Sequence, residues 1–202
     1  MSLTKLRDIL QRFSGRGVYP HELAFLLDSP IRNLIISPRQ LADRLQLAPS
    51  SRVLEIGPGP GYFSVEVARR IPDGRLVLFD IQHPMLQKSR AKLQRSGIQH
   101  VRFTQGSADL LPFLDAIFDV IFLVTVLGEV PQPRDCLVSI HRVLRPGGIV
   151  SITEQAGDPD VLSQNDLQLM ADEIGLMPVG QFHFRGGFTL NFEKKRTEPN
   201  IS

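Results

Sequence analysis

Three glycines at alternate positions, Gly57, Gly59 and Gly61, stand in Val53-Leu54-Glu55-Ile56-Gly57-Pro58-Gly59-Pro60-Gly61-Tyr62-Phe63. A short apolar run precedes them and an amphipathic run follows. Glycine permits positive φ and lets a ligand approach the backbone with no Cβ in the way. A helix opening there adds free N–H donors and partial positive charge, which suits a carboxylate or a phosphate. Asp80 ends the next apolar run, roughly 20 residues on, where a carboxylate accepts hydrogen bonds from both ribose hydroxyls of a nucleoside. Loop and carboxylate together imply an adenosine-type cofactor. A dinucleotide fingerprint, G-x-G-x-x-G, would place its third glycine at Tyr62. That spacing disfavours NAD, and an NAD(P)-dependent oxidoreductase stands as the alternative, without a Tyr-x-x-x-Lys pair to support it.

The elements that must position these residues alternate between strands and helices from Ser51 onward. Strands are expected at Arg52–Ile56, Arg75–Phe79, His100–Thr104, Phe118–Val124 and Ile149–Thr153, and helices at Tyr62–Ile71, Pro84–Arg95, Arg134–Leu144 and Gln164–Ile174. Such alternation makes a parallel sheet covered on both faces, read as five strand–helix units with right-handed crossovers. Two last strands, Met177–His183 and Phe188–Lys194, have only a short Arg185-Gly186-Gly187 connection between them and should pair antiparallel. The fold class is therefore α/β, doubly wound, with a mostly parallel sheet. A ligand belongs outside the carboxyl ends of the strands. Residues 1–48 read as an N-terminal helical segment or lid, and 49–202 as the cofactor-binding core. Within the first part, Ser37-Pro38-Arg39-Gln40 makes a capping box that starts a helix at Pro38.

The set of motifs resembles the class I S-adenosylmethionine-dependent methyltransferases, in the branch of the ubiquinone/menaquinone C-methyltransferases and arsenite methyltransferases. Glu55 to Gly61 matches the first motif of that family, and Phe79-Asp80-Ile81 its ribose-binding strand end. Gln105-Gly106-Ser107-Ala108-Asp109-Leu110-Leu111-Pro112-Phe113 resembles its third-strand motif, and Phe118-Asp119-Val120-Ile121 its fourth strand. Arg142-Val143-Leu144-Arg145-Pro146-Gly147-Gly148 resembles the turn before its fifth strand. The resemblance covers roughly residues 50–155. It implies a Rossmann-like, seven-stranded sheet with a reversed last strand, S-adenosyl-L-methionine as cofactor and a small-molecule acceptor. It further implies roles for single residues. Gly57 and Gly59, with Pro58, Gly61 and Glu55 beside them, would hold the methionine moiety. Asp80 would bind the ribose and Ile81 pack on the adenine, with Ser107 and Ala108 at its edge. Val124 and Thr125 would flank the reactive methyl. The family commonly carries an aspartate where this chain has Ser107. A hydroxyl accepts more weakly from the adenine amino group, unless Asp109 reaches in.

A sulfonium methyl is already activated, so the protein's tasks are alignment and desolvation. A general base is needed only if the acceptor must lose a proton. Candidates for a base or a substrate contact are His21, Glu129 just past the fourth strand and Glu154 at the end of the fifth. His183 and Arg185 lie in the terminal hairpin and could border the pocket. His141, within a helix, reads as structural, and His83 and His100 flank elements and suggest no specific role. The five histidines show no metal-ligand spacing, and no metal is expected. Apolar residues Leu23, Phe25, Leu26, Leu27 and Ile31 would suit an apolar acceptor: quinone-like, phenolic or lipid. A cofactor-binding module without turnover is the reading from a different class.

Composition sets the outer bounds. The chain has 202 residues, 42% hydrophobic and 22% charged, which describes a globular domain. Its net charge of +2 makes no field to gather nucleic acid. No basic stripe with interleaved aromatics and no Asn-Pro-Pro-Tyr-like segment after the fourth strand suggests that partner either. The single cysteine, Cys136, cannot form an internal disulfide and reads as a buried thiol. No signal peptide or membrane span is visible, and a cytoplasmic location is expected. Leu3, Leu6, Ile9, Leu10 and Phe13 among Lys5, Arg7 and Arg12 form an amphipathic pattern that suits a helix docked on the core, or peripheral contact with a membrane. Lys194-Lys195-Arg196 reads as a solvated tail. The oligomeric state leaves no mark on the sequence.

Overall fold

The computed structural model describes residues 36–155 and 161–196. His21, the apolar 23–31 stretch and the amphipathic start lie outside them. A capping box opens the first described helix, α1 (Pro38–Arg44). The Ser37 hydroxyl accepts from the Gln40 N–H, and Gln40 Oε1 accepts from the Ser37 N–H, each at 3.2 Å. Alternation then runs through β1 (Arg52–Ile56), α2 (Ser64–Arg70), β2 (Arg75–Asp80), α3 (His83–Arg95), β3 (Val101–Gln105) and β4 (Phe118–Val124). A short 3-10 turn at Leu127–Glu129 leads to α4 (Pro133–Val143), β5 (Leu144–Gln155), α5 (Gln164–Glu173), β6 (Leu176–Phe184) and β7 (Gly187–Lys194).

The seven strands form one sheet in the order β3-β2-β1-β4-β5-β7-β6. β1 pairs in parallel with β2 and β4, β2 with β3, and β4 with β5. β7 enters between β5 and β6 and runs antiparallel to both. The chain reverses sequence direction at β1, where β2 lies on one side and β4 on the other. That switch point opens a crevice at the strands' carboxyl ends.

Strand alternation divides the core into two faces. Leu54, Ile56, Ile121, Leu123, Val150 and Ile152 meet Leu137, Ile140 and Val143 of α4 and Leu167 and Ala171 of α5. Val53, Leu76, Leu78, Val120 and Phe122 meet Leu41 of α1 and Leu45 just past its end, Val67 and Ala68 of α2 and Leu86 and Leu93 of α3. Cys136 is wholly buried on α4, and burial pushes its thiol up to about 12, so it packs as an apolar side chain.

The sequence reading needs three corrections. The connection from β3 to β4, residues 106–117, carries no helix, so the expected five strand–helix units are four. Pro112 lacks the N–H that a helix would use, and Arg142 holds this segment in an irregular path instead. It donates to the carbonyls of Leu111 (2.6 Å) and Phe113 (2.7 Å) and to Asp115 Oδ1 (2.7 Å). Second, α2 starts at Ser64 rather than Tyr62, because Gly57, Gly59 and Gly61 all hold positive φ and delay the helix. Third, β5 begins at Leu144 rather than Ile149. Leu144 faces Phe118 and Ile149 faces Val120, so Arg145-Pro146-Gly147-Gly148 loops out of register as a bulge.

Candidate active site

Glu55 is a deeply buried acid behind the glycine loop. It sits on β1 between apolar neighbours, 2% exposed, and Ser64 Oγ donates to its Oε2 at 2.6 Å. Burial pushes the Glu55 carboxyl up to about 8; the Ser64 bond pulls it back, and the charge of Asp80 pushes it further up. Ser64 was not singled out in the sequence. Its position in the first turn of α2, facing back toward β1, is visible only once the loop is folded.

Asp80 ends β2 and is 7% exposed. Its Oδ1 accepts the Gln82 N–H at 2.8 Å. Burial raises Asp80 to about 6 against the Gln82 and Gly59 N–H groups. The Gly59 N–H is near enough to favour the Asp80 carboxylate, so the glycine loop and the aspartate, 21 residues apart in the chain, are neighbours. Gly57 donates its N–H to the Phe79 carbonyl at 2.8 Å, which carries the β1–β2 ladder into the loop.

The other expected residues surround this pair. Ile81, half exposed, follows Asp80, and its carbonyl accepts from Gln105 Nε2 at 3.1 Å. Gly106 donates to the Asp80 carbonyl at 3.1 Å, and a Cβ on Gly106 would fall 2.6 Å from the Phe79 ring. Ser107, exposed, and Ala108, half-buried and packed against the core, follow Gly106. Asp109 is exposed and near enough to Cys136 to push its thiol further up. Val124 ends β4, and Thr125 holds φ +54, a conformation rare outside glycine. Thr125 is fixed there by its N–H to the Thr153 carbonyl (2.8 Å) and its Oγ1 to the Val124 carbonyl (2.7 Å). Pro58, buried, stands between the first two glycines.

Of the candidate bases, Glu129 closes the 3-10 turn after β4, half-buried, with its N–H on the Val126 carbonyl at 3.0 Å. Glu154 is buried one residue before the end of β5, opposite Phe188 and thus on the α4–α5 face. His21 lies outside the described residues. His183 is exposed, with Nε2 2.9 Å from Gln181 Nε2. His100 reaches the Ala68 carbonyl at 3.1 Å, a tie between β3's approach and α2. The sequence reading also passed over Val126. A Cβ on Gly57 would fall 2.4 Å from its Cγ2, so Val126 fills the room that Gly57 leaves.

These residues fit S-adenosylmethionine. Two acidic side chains, Glu55 and Asp80, back a loop of left-handed glycines. A carboxyl at Asp80 can accept from ribose hydroxyls and one at Glu55 from an ammonium group, and the left-handed glycines leave the backbone open to a ligand.

The model of the methyltransferase domain family matches residues 47–176, well over half of the chain. Among curated proteins, the ubiquinone/menaquinone biosynthesis C-methyltransferase UbiE of Stutzerimonas stutzeri is 39% identical over 106 residues, covering 52% of this chain and 41% of that protein. The chain thus spans about two-fifths of the curated relatives it matches. Among solved structures, a SAM-dependent methyltransferase from Aquifex aeolicus superposes with a TM-score of 0.82 at 20% identity, covering 88% of this chain and all of that one. The [4+2]-cyclase SpnF has a TM-score of 0.72 at 18% identity, covering 79% of this chain and 81% of its own. Both superpositions show the fold.

Proposed function

We propose that this chain, which belongs to the methyltransferase domain family and is a class I S-adenosylmethionine-dependent member of the UbiE-like type, methylates a small-molecule acceptor. The observation that carries the reading is the adjacency of the Gly57–Gly61 loop and Asp80, tied by the Gly57 N–H on the Phe79 carbonyl. When bound, S-adenosylmethionine supplies an electrophilic methyl on a sulfonium. Asp80 would accept from the ribose hydroxyls. Gly57, Pro58, Gly59 and Gly61, backed by Glu55, hold the methionine end. Ile81 covers the adenine, with Ser107 and Ala108 at its edge. Val124 and Thr125 border the space where the acceptor must align for in-line displacement.

The lid assigned to residues 1–48 belongs to the proposal, with α1 its anchor on the sheet. So do an apolar acceptor, His21, Glu129 and Glu154 as candidates for a base, the cytoplasmic location and a peripheral membrane contact. No helix among the described residues is long and apolar enough to cross a membrane. The oxidoreductase alternative finds no support. A second reading, the fold without methyl transfer, is kept because a [4+2]-cyclase shares this architecture, and fold does not dictate chemistry.

Calorimetric titration tests the cofactor. S-adenosylmethionine should bind with a Kd of about 1–100 μM, NADH should not, and Asp80→Ala should weaken binding by about tenfold or more. NADH binding without S-adenosylmethionine binding overturns the assignment. Incubation with methyl-labelled cofactor and a cell extract separates enzyme from inert module: a labelled product at many turnovers excludes the module.

A further inference from the structure

The sheet face under α1, α2 and α3 changes character from one side to the other. β1, β2 and β4 bury Val53, Leu76, Leu78, Val120 and Phe122 there, whereas β5 and β7 bury Ser151, Thr153, Thr189 and Asn191, none more than 1% exposed. Register sets these four side by side: Ser151 faces Asn191, and Thr153 faces Thr189. Arg44, the last residue of α1, lies over the strip. Its Nη1 donates to Thr189 Oγ1 at 2.9 Å, and Thr189 Oγ1 is 2.9 Å from Thr153 Oγ1. Asn191 Nδ2 donates to the Arg44 carbonyl at 2.7 Å. The guanidinium carbon stands 5.1 Å from the centre of the Phe182 ring and 5.6 Å from that of Phe184.

This arrangement is incomplete as a structural tie. Arg44 is half-buried, which pulls its pKa down, yet among the described residues no carboxylate pairs with it. A desolvated cation is normally paired. Among the described residues its side-chain hydrogen bond uses Nη1 and goes to a neutral hydroxyl, leaving much of the fork that matches an anionic oxygen. Beside it, Ser151 Oγ and Asn191 Oδ1 are buried with no hydrogen-bond partner, so the strip does not satisfy itself.

Its place in the sheet ties it to the site. Val124, Thr153, Thr189 and Phe182 are consecutive cross-strand partners, and one step past Ile56 and Phe79 the same row reaches Gly57 and Asp80. All share one face. The row therefore runs from the ribose end, past the glycine loop and Val124, to Thr189, which lies about 10 Å beyond Val124 at the usual strand spacing.

We propose that Arg44, aimed by Thr189, binds an anionic oxygen, carboxylate or phenolate, of a small acceptor whose other end lies beside Val124. This rests on the methyltransferase reading above and names the acceptor's chemistry. The test uses the full chain saturated with S-adenosylhomocysteine and three probes: benzoate, 4-nitrophenol above its pKa, and neutral benzamide. At least one anion should bind about tenfold more tightly than benzamide, and which one does so identifies carboxylate or phenolate. Arg44→Gln should abolish that advantage with S-adenosylhomocysteine affinity unchanged. Thr189→Val, a milder change measured alongside, should lower it by about threefold or more. No anion preference in the wild type overturns the proposal, as does a preference that survives in Arg44→Gln. So does a loss of melting temperature in the two variants with the preference intact, which is the signature of a mere strap. Absence of S-adenosylhomocysteine binding to the wild type removes the methyltransferase reading as well, whereas lost preference with that binding intact removes Arg44 alone.

Discussion

Gly57 joins two constraints at one residue. Its φ of +67 is left-handed, and the space beside its Cα is occupied by Val126. An alanine there must bear the left-handed strain, about 1–2 kcal/mol, and push aside a branched side chain at about 1–3 kcal/mol more. Gly57→Ala should therefore destabilise the fold by about 2–5 kcal/mol in urea unfolding. Adding Val126→Ala should restore part of the loss by removing the clash while leaving the strain. If the double variant is no more stable than the sum of two independent losses, the packing account is wrong. Thr125 is the complementary case: a non-glycine residue held at positive φ by two hydrogen bonds, at the point where β4 hands over to the site. Strain of this kind tends to collect at functional positions.

At the scale of elements, the path from β3 to β4 is the unusual feature. It must cross from one edge of the sheet, past β2 and β1, without a helix to satisfy its backbone. Side chains of α4 serve instead: Arg142 takes two carbonyls and Asp115, and Ser139 Oγ accepts the Leu111 N–H at 2.9 Å. The same C-terminal end of α4 is closed in turn by Lys194, whose Nζ donates to the carbonyls of His141 (2.7 Å) and Leu144 (2.9 Å). Arg142→Ala leaves two partly buried carbonyls without their charged donor. It should cost about 2–4 kcal/mol and speed hydrogen exchange at the Leu111 amide more than at β1. Arg142→Lys should recover little, because a single ammonium cannot span the three acceptors. Uniform acceleration across the sheet would refute a local role.

For the whole molecule, the two buried acids couple the site to pH. Glu55 and Asp80 both titrate higher in the folded chain, at about 8 and about 6, than their ordinary values of 4.5 and 3.8. The folded state then holds more protons than the unfolded state between each pair of values, so stability falls as pH rises. Asp80 contributes this fall from 3.8 to about 6 and Glu55 from 4.5 to about 8. Each extra proton gives a slope of up to about 1.4 kcal/mol per pH unit. Denaturant unfolding of wild type and Glu55→Gln from pH 5 to pH 8 isolates the Glu55 part. The wild type should lose stability relative to the variant as pH rises, and a gap that stays constant rules the linkage out.

Much of this protein is legible along the chain. The strand at Phe118–Val124, the α1 capping box and the pairing of a glycine loop with an acid at the next strand end are local patterns, written in residue type and spacing. The hydrophobic period also places the inner strands, because they must present apolar groups to helices on both faces. What lay beyond reach depends on contacts between distant segments. Nothing near Arg142 in the chain reveals which carbonyls it holds, and nothing near Gly57 reveals Val126 above it. Arg44 reads as one more surface charge on a short helix until β7, which joins the sheet 145 residues later, sets Thr189 beneath it. Periodicity and turn chemistry act over a few residues and are carried by the sequence itself. Burial, pKa and the pairing of side chains arise only when the sheet order is set, and that order brings together groups the chain keeps apart.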